Sequence, residues 1–107
     1  SRAGVVPTLA GSTDGSTDGT GTNAQFNYPF GVAVAPDGTI YVADTDNNRI
    51  RAITPAGVVT TLAGSTFGDA DGTGTNAKFN DPYGVAVAPD GTIYVADTNN
   101  HRIRAIT

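Results

Sequence analysis

An internal repeat with a period of 53 residues dominates this 107-residue chain. Residues 3–54 align with residues 56–107 as 52 pairs, of which nine differ. The run Gly31–Thr45 recurs unchanged as Gly84–Thr98. A repeated unit of this size buries its apolar surface largely against its neighbours. We therefore divide the chain into two units, residues 1–54 and residues 55–107.

Each unit has the pattern of several short β-strands. In Gly31–Ala35, valine alternates with alanine, which is the two-residue period of a strand. Asp37-Gly38 follows, and this dipeptide between apolar runs is a strong hairpin signal. Further strands are predicted at Ile40–Ala43, Arg49–Thr54 and Val58–Ala63. A short helical turn is predicted at Thr75–Phe79.

Four strands joined by tight hairpins predict one antiparallel up-and-down sheet per unit. The strands are apolar on both sides, which indicates a neighbouring sheet on each face. Repeated four-stranded sheets packed face to face are the architecture of a β-propeller. The predicted fold class is therefore all-β, with propeller blades made of four-stranded antiparallel sheets.

Two segments then suggest a family. Tyr41–Arg51 (YVADTDNNRIR) and Tyr94–Arg104 (YVADTNNHRIR) resemble the signature of the NHL repeat, and the flanking residues match a longer version of it. The resemblance implies one propeller blade per repeat in a family whose members commonly close with six blades. Such propellers include protein- and RNA-binding platforms, and some related six-bladed propellers are metal-dependent hydrolases or lyases.

Two blades leave two large sheet faces uncovered. Soluble monomers rarely expose a contiguous apolar patch beyond a few hundred Å². Head-to-tail association of identical chains closes into a ring where the rotation permits. We therefore expect homo-oligomerisation to complete the ring, as a homotrimer with six blades or a homotetramer with eight.

The order of the strands predicts how one chain joins the next. The chain begins with a fourth, outer strand at residues 5–10, and its last sheet, residues 84–107, has no outer strand. We expect the first segment of one chain to complete the last sheet of its neighbour, with Pro7 tolerated on an edge strand. The residues assigned to this closure are Val5, Val6, Leu9, Ile103 and Ile106.

The loops offer an alternative function. Six of the nine differences between the repeats lie between residues 14 and 30, which indicates a fixed scaffold carrying a variable loop. A ligand- or protein-binding module would use this loop and its equivalent, residues 67–83, around one rim. The candidate rim residues are Asp14, Tyr28, Phe67, Asp69 and Asp81.

Composition narrows the possible partners. The chain has no cysteine, which excludes disulfides, thiolate metal sites and a cysteine nucleophile. Its net charge of −4 argues against a nucleic-acid partner, which would require a basic face. No run approaches the ~18 apolar residues of a membrane span, and no signal peptide is visible. We expect neither nucleic acid nor membrane as a partner and assign no cellular location.

Two features could carry chemistry. His101 is the sole histidine, and Asn48 takes its place in the other repeat, which favours a surface turn residue over a catalytic base. The segment Asp69–Asn76 resembles a calcium loop, but Asn80 stands where the bidentate glutamate belongs. A glycine-rich turn is the favoured interpretation of that segment.

Two repeated carboxylates follow strands and precede asparagine-rich turns. Asp44 and Asp97 lie close in sequence to Arg49 and Arg102, respectively. A turn cap with a local ion pair is favoured over a charged binding rim.

The aromatic residues of the loops are predicted to pack between blades rather than to stack on a ligand. They are Phe26, Phe30, Phe79 and Tyr83. The function favoured by the sequence is structural, a self-assembling two-blade propeller fragment without catalysis or cofactor. The near-identity of its repeats favours a designed or reconstructed sequence. An enzyme with a metal in the central channel is a third hypothesis.

Overall fold

The computed structural model describes residues 3–107, so the first two residues of the first predicted repeat lie outside it. The described chain is all-β, as predicted, with eight strands, four short 3-10 helices and no α-helix. None of these helices has the length and apolar character needed to cross a bilayer. The strands are β1 (Gly19–Thr20), β2 (Pro29–Val34), β3 (Ile40–Asp44), β4 (Arg49–Ile53), β5 (Val58–Gly64), β6 (Pro82–Val87), β7 (Ile93–Asp97) and β8 (Arg102–Ile106). The 3-10 helices are Gly21–Asn23, Thr45–Asn47, Gly74–Asn76 and Thr98–Asn100.

The strands form two antiparallel sheets. The first has the order β1-β5-β4-β3-β2, and the second has the order β6-β7-β8. The first sheet is thus a four-stranded up-and-down blade with the two-residue β1 on its outer edge. The second sheet has the three inner strands of the same blade. Because β5 comes from the second repeat and completes the first sheet, the division between sheets does not follow the division at residue 54.

The hairpin predicted at Asp37-Gly38 is present. The Ala35 N–H donates to the Thr39 carbonyl oxygen at 2.8 Å, and Gly38 adopts a φ of +91°, which favours glycine. The Asp37 carboxylate accepts the Thr39 N–H at 2.9 Å. The turn therefore fixes the register in which β2 and β3 pair, with Val34 opposite Ile40.

The two sheets pack face to face through a shared core. Phe79 is almost fully buried in this core, which confirms its predicted place between blades. The fully packed members are Ala43, Ile50 and Ala63 from the first sheet with Phe79, Ile93 and Val95 from the second blade. Each sheet thus has an apolar face shared with its neighbour, as in adjacent blades of a propeller.

The innermost strands, β2 and β6, approach each other closely. A Cβ atom on Gly31 would lie 2.5 Å from the Tyr83 carbonyl oxygen, so a side chain there would force the strands apart. The Phe30 and Tyr83 rings pack edge to face with their centroids 4.5 Å apart. Tyr83 thus lies between the blades, as predicted, whereas Phe30 contacts its ring but remains 72% exposed.

The first outer strand predicted from the sequence is not formed within the single chain. Residues 3–9 have no regular secondary structure, although Val5–Gly11 repeats the sequence of β5 with one change, Pro7 for Thr60. Strands form by pairing, and residues 3–9 have no strand beside them in the described part of the chain. The predicted helical turn at Thr75–Phe79 is instead the 3-10 helix Gly74–Asn76.

Candidate functional site

A buried arginine holds the first blade together. The Arg51 guanidinium lies 2.8 Å from the Asp44 carboxylate and 2.8 Å from the Asp18 carboxylate. Its carbon Cζ also lies 4.9 Å from the centre of the Phe26 ring, within cation–π range. The Thr61 hydroxyl of β5 donates to Asp18 at 3.1 Å. This set of side chains, which we call the first charge cluster, ties strands β3, β4 and β5 to the loop before β1.

The second blade contains the same cluster without its outer strand. Arg104 lies 2.8 Å from Asp97 and 2.9 Å from Asp71, and its Cζ lies 5.1 Å from the centre of the Phe79 ring. No residue of the described chain occupies the place of Thr61 beside Asp71. The Asp71 side chain is consequently 95% exposed, against 51% for its equivalent Asp18. We call this set the second charge cluster.

An open groove of about 860 Å³ runs along the unpaired edge of β8. One wall is β8, and the other includes Asp71–Gly74, Ala77 and Phe79. In the first blade, β5 occupies the equivalent position between β4 and β1. The groove therefore lies where an outer strand would pair with β8.

Identical residues at equivalent positions of the two repeats differ sharply in burial. Ile103 of β8 is 74% exposed, whereas its equivalent in β4, Ile50, is fully buried. Val6 is 91% exposed, whereas its equivalent in β5, Val59, is 1% exposed. The difference has two causes: β4 and β5 pair with each other and the second blade packs over Ile50, while β8 and residues 5–10 have neither a strand partner nor a covering blade within the described chain.

The residues assigned to chain-to-chain closure therefore lie on two separate surfaces. Val5, Val6 and Leu9 are exposed on the N-terminal segment. Ile103 and Ile106 lie on β8, where Ile106 is half-buried. One chain does not bring the two groups together, so the predicted contact requires a second chain.

The outer face of β2 is a second uncovered surface. Phe30, Val32 and Val34 are all largely exposed on it. Their equivalents on β6 are better covered, because the first blade packs against them. In the second blade this face is covered by the first blade. In the described chain, no blade covers the equivalent face of the first blade.

The candidate rim residues are all in loops, and they do not converge on one site. Asp14 and Tyr28 line a groove of about 810 Å³ between residues 8–14 and 26–29. Phe67, Asp69 and Asp81 belong to the second blade and do not line this groove. Two of the five residues therefore share a surface within one chain.

Polar neighbours already engage two rim carboxylates. Asp81 accepts the Asn99 side-chain amide at 2.9 Å, and Asp69 lies 3.7 Å from the Arg102 guanidinium. Tyr28 and Asp81 both have positive φ, 52° and 50°, at equivalent loop positions. The loop shape is therefore common to both blades, while the exposed side chain differs.

The interpretation of His101 as a turn residue agrees with its geometry. It follows the last 3-10 helix in the left-handed region, φ 57°, and Asn48 does the same after Thr45–Asn47 at φ 56°. In the segment that resembles a calcium loop, Asp69 and Asp71 face the arginines of β8 rather than each other.

The favoured interpretation of Asp44 and Asp97, a local ion pair rather than a charged rim, is confirmed, but the partner is not the arginine nearest in sequence. Both carboxylates are fully buried, so neither forms a charged rim. Asp44 pairs with Arg51 instead of Arg49, and Asp97 pairs with Arg104. In each strand, the arginine two residues further along lies on the same face of the sheet as the carboxylate and binds it.

The central role of Arg51 was not predicted from the sequence. A signal was nevertheless present, because the strands were expected to be covered on both faces. A charged side chain in such a strand must be paired to be buried. Arg51 alternates with Ile50 and Ala52, so it lies on the opposite covered face.

The chain is similar to known proteins along most of its length. A sequence profile of the NHL repeat matches residues 26–53 and 79–106. The chain is 40% identical over 94 residues to Protein SUPPRESSOR OF QUENCHING 1, chloroplastic, of Arabidopsis thaliana. It is 38% identical over 97 residues to NHL repeat-containing protein 2 of Homo sapiens. Each match covers 86% of this chain, but only 9% and 13% of those longer proteins, respectively.

Solved structures with the same arrangement come from Bacteroides thetaiotaomicron. An auxiliary nutrient binding protein matches with a TM-score of 0.83 at 29% identity, over 92% of this chain and 28% of its own. A protein provisionally named a phosphatase matches with a TM-score of 0.82 at 29% identity, over 94% of this chain and 26% of its own. The two-blade arrangement therefore occurs as part of larger folded proteins.

Proposed function

This chain belongs to the NHL-repeat family of propeller proteins, and on that premise we propose that it is a structural, self-assembling two-blade unit. Identical chains associate head to tail and close a ring. The observation that carries the proposal is the burial contrast between Ile103 and Ile50, which are the same residue in the same repeat position. Ile103 can be covered in the same way as Ile50 if the equivalent segments of another chain pack against it.

The pairing of β4 with β5 supplies the register for the proposed contact. Within the chain, Ile50 lies opposite Ala63, and Arg51 lies opposite Thr61. Each residue of β4 has its equivalent 53 positions later in β8, and each residue of β5 has its equivalent 53 positions earlier in segment 5–11. Transferring the ladder to these equivalents pairs segment 5–11 of one chain with β8 of the next. The proposed pairs are Arg102 with Gly11, Ile103 with Ala10, Arg104 with Thr8, Ala105 with Pro7 and Ile106 with Val6.

The N-terminal segment already contacts its own first blade in a way that suits the proposed pairing. A Cβ atom on Gly21 would lie 3.8 Å from the Leu9 carbonyl oxygen, and one on Gly74 would lie 3.8 Å from the Leu62 carbonyl oxygen. Leu9 therefore already contacts its own loop as Leu62 of β5 contacts the next loop. This contact would hold the segment near its own blade while residues 6–11 pair with β8 of another chain.

The second uncovered surface fits the same assembly. In the proposed ring, β2 of one chain packs against β6 of its neighbour, as β2 and β6 pack within the chain. Phe30 then meets a second Tyr83. At about 25 cal/mol per Å² of apolar surface, burial of both the β2 face and the β8 groove strongly favours association. Three chains give six blades, and four give eight.

The proposal includes no catalysis. The buried polar side chains of both charge clusters bind one another and the loop backbone. Such contacts stabilise blades, and no other chemistry is needed to explain them. The provisional phosphatase name belongs to a protein of which this chain resembles about a quarter, so it assigns no reaction to this chain.

A pair of neighbouring substitutions tests the assembly. Val6→Asp introduces a carboxylate at the position equivalent to Val59, which is buried in the first blade. Val5→Asp introduces one at the position equivalent to Val58, which is 38% exposed. We expect native mass spectrometry to show rings for the parent chain and for Val5→Asp, and dissociated chains for Val6→Asp. Deletion of residues 1–10 should also abolish the ring. An unchanged oligomer after that deletion would refute the proposal.

A binding module is the second candidate. The groove that contains Asp14 and Tyr28 favours it, and so does the similarity to an auxiliary nutrient binding protein. Exchange of residues 14–17 with 67–70 separates the two functions, since the ring would persist while a saturable rim ligand would be lost.

A further inference from the structure

The two charge clusters differ in one hydrogen bond. In the first cluster, the Thr61 hydroxyl donates to Asp18 at 3.1 Å, and the same carboxylate oxygen binds Arg51. In the second cluster, Asp71 binds Arg104 in the same way, at 2.9 Å. Its side chain is otherwise almost entirely open to solvent.

The remaining contacts of the two arginines match. Arg51 donates to the carbonyl oxygens of Gln25 and Thr17 at 2.8 and 3.1 Å. Arg104 donates to the equivalent carbonyl oxygens of Lys78 and Ala70 at 2.9 and 3.0 Å. The second cluster is therefore fully formed on its own chain apart from the threonine of the outer strand.

We propose that Thr8 of the partner subunit completes the second cluster by donating its hydroxyl hydrogen to Asp71. This inference rests on the ring proposed above and assigns a particular residue to its interface. Thr8 is the equivalent of Thr61, and the transferred register places it opposite Arg104. The cavity beside β8 is the space into which this strand would enter.

The same contact fixes the register of the incoming strand. Val6 and Thr8 correspond to Val59 and Thr61, which share the face of β5 beside Ile53 and Arg51, whereas Ala10 corresponds to Ala63, which a bulge places on the other face beside Ile50. Thr8 alone among the three carries a hydroxyl. A strand shifted by two residues would place valine or alanine against the Asp71 carboxylate, and that carboxylate would lose water without gaining a hydrogen bond. The correct register is thus favoured by chemistry as well as by shape.

Burial makes the contact more important in the ring than in the single chain. The Arg104 side chain is 11% exposed, and Arg51 under its strand is fully buried. Covering Arg104 strengthens its attraction to Asp97 and Asp71. The partner's hydroxyl adds a hydrogen bond to Asp71, whose equivalent, Asp18, is still 51% exposed beside β5.

Thr8→Val tests the proposal, and Thr61→Val is its matched control. Each replaces the same hydroxyl by a methyl group, the first at the proposed interface and the second inside the blade. Sedimentation velocity over a dilution series should show that Thr8→Val raises the ring's dissociation constant about tenfold or more. Thr61→Val should lower the chain's stability and leave that constant within about twofold of the parent value.

A double-mutant cycle with Asp71→Asn provides a readout that simple loss of packing would not give. If the threonine binds Asp71, Thr8→Val should have a much smaller effect in the Asp71→Asn background. A dissociation constant unchanged by Thr8→Val, or additive effects of the two substitutions, would overturn this inference and leave the ring itself intact. A parent chain that forms no ring would instead refute the proposed function, and this inference with it.

Discussion

The guanidinium of Arg51 and the carboxylate of Asp44 lie 2.8 Å apart, and neither side chain is exposed to solvent. Asp44 also accepts the Asn27 backbone N–H and the Asn47 side-chain amide, at 2.8 and 2.7 Å. The pair is thus surrounded by polar partners, which a buried ion pair requires in order to stabilise a fold. It connects the end of β3, the middle of β4 and the loop before β2.

Removal of one member of this pair should be severely destabilising. Arg51→Ala leaves the Asp44 carboxylate buried without its counter-charge, so we expect a loss of about 3–5 kcal/mol in the free energy of unfolding. Denaturant titration monitored by circular dichroism measures this loss.

Arg102→Ala is the control for Arg51→Ala. The Arg102 side chain is 54% exposed and lies 3.7 Å from Asp69. An exposed pair of this kind contributes less than about 1 kcal/mol. Equal losses for the two variants would contradict the importance assigned to the buried pair.

Proline should be harmful at the internal outer strand. The Thr54 N–H donates to the Val58 carbonyl oxygen, and hydrogen-bonded pairs alternate along the ladder, so Thr60 and Ala52 form the next such pair. Thr60→Pro removes the donor of that pair and should lower the free energy of unfolding by about 1–3 kcal/mol.

Thr60→Val keeps the backbone N–H and should change stability far less than proline. Pro7 already stands at the equivalent position of the N-terminal segment, so Pro7→Thr should assemble at least as well as the parent chain. Equal stabilities of Thr60→Pro and Thr60→Val in thermal melts would argue against the assigned hydrogen-bond pattern.

Phe79 should contribute far more to stability than Phe67. Phe79 is 2% exposed in the core between blades, and Phe67 is 70% exposed in a loop. Phe79→Ala should cost about 3–5 kcal/mol in the free energy of unfolding. Phe67→Ala should change it by no more than about 0.5 kcal/mol. A similar loss for both would show that Phe67 is covered in the assembled protein.

Acid should weaken the two inner hairpins. The backbone hydrogen bond from Thr39 lowers the pKa of Asp37 below its usual value, and the one from Thr92 does the same for Asp90. A folded-state pKa below the unfolded value gives stability that is present above the unfolded pKa. That stability is lost as the pH falls through the folded pKa.

The double variant Asp37→Asn, Asp90→Asn tests this pH dependence. Its denaturation midpoint should lie below the parent value at pH 7, and the difference should shrink as the pH falls from about 4 towards 2. A difference that stays constant over this range would indicate that ionisation of these carboxylates does not stabilise the hairpins.

Much of the fold follows from local sequence. The alternation at Val32 and Val34 predicts a strand, and Asp37-Gly38 predicts the turn that follows it. The repeat predicts that both blades have the same shape. These features are predictable because they depend on residues within a few positions of one another.

The pairing of charges was harder to predict because it depends on side-chain direction. Asp44 lies directly opposite Arg49 in the ladder, yet its carboxylate binds Arg51. Arg51 occupies the covered face next to Val42, while the loop that carries Asp18 folds over it. Sequence proximity gives no information about that long-range loop.

The state of residues 5–10 was also beyond prediction for one chain. Their sequence predicts a strand, but Val6 has no strand to pair with in the described chain. A strand exists only where a neighbouring backbone accepts its hydrogen bonds. The local pattern therefore predicts the capacity to pair, and the partner decides whether the strand forms.

Native mass spectrometry combined with amide hydrogen exchange tests the ring most directly. The chain mass is 10.8 kDa, so the proposal predicts a closed particle of three or four times that mass, in which the Ile103 region of β8 is protected from exchange. A 10.8 kDa particle that stays monomeric at high concentration, with β8 amides equally protected, would contradict it.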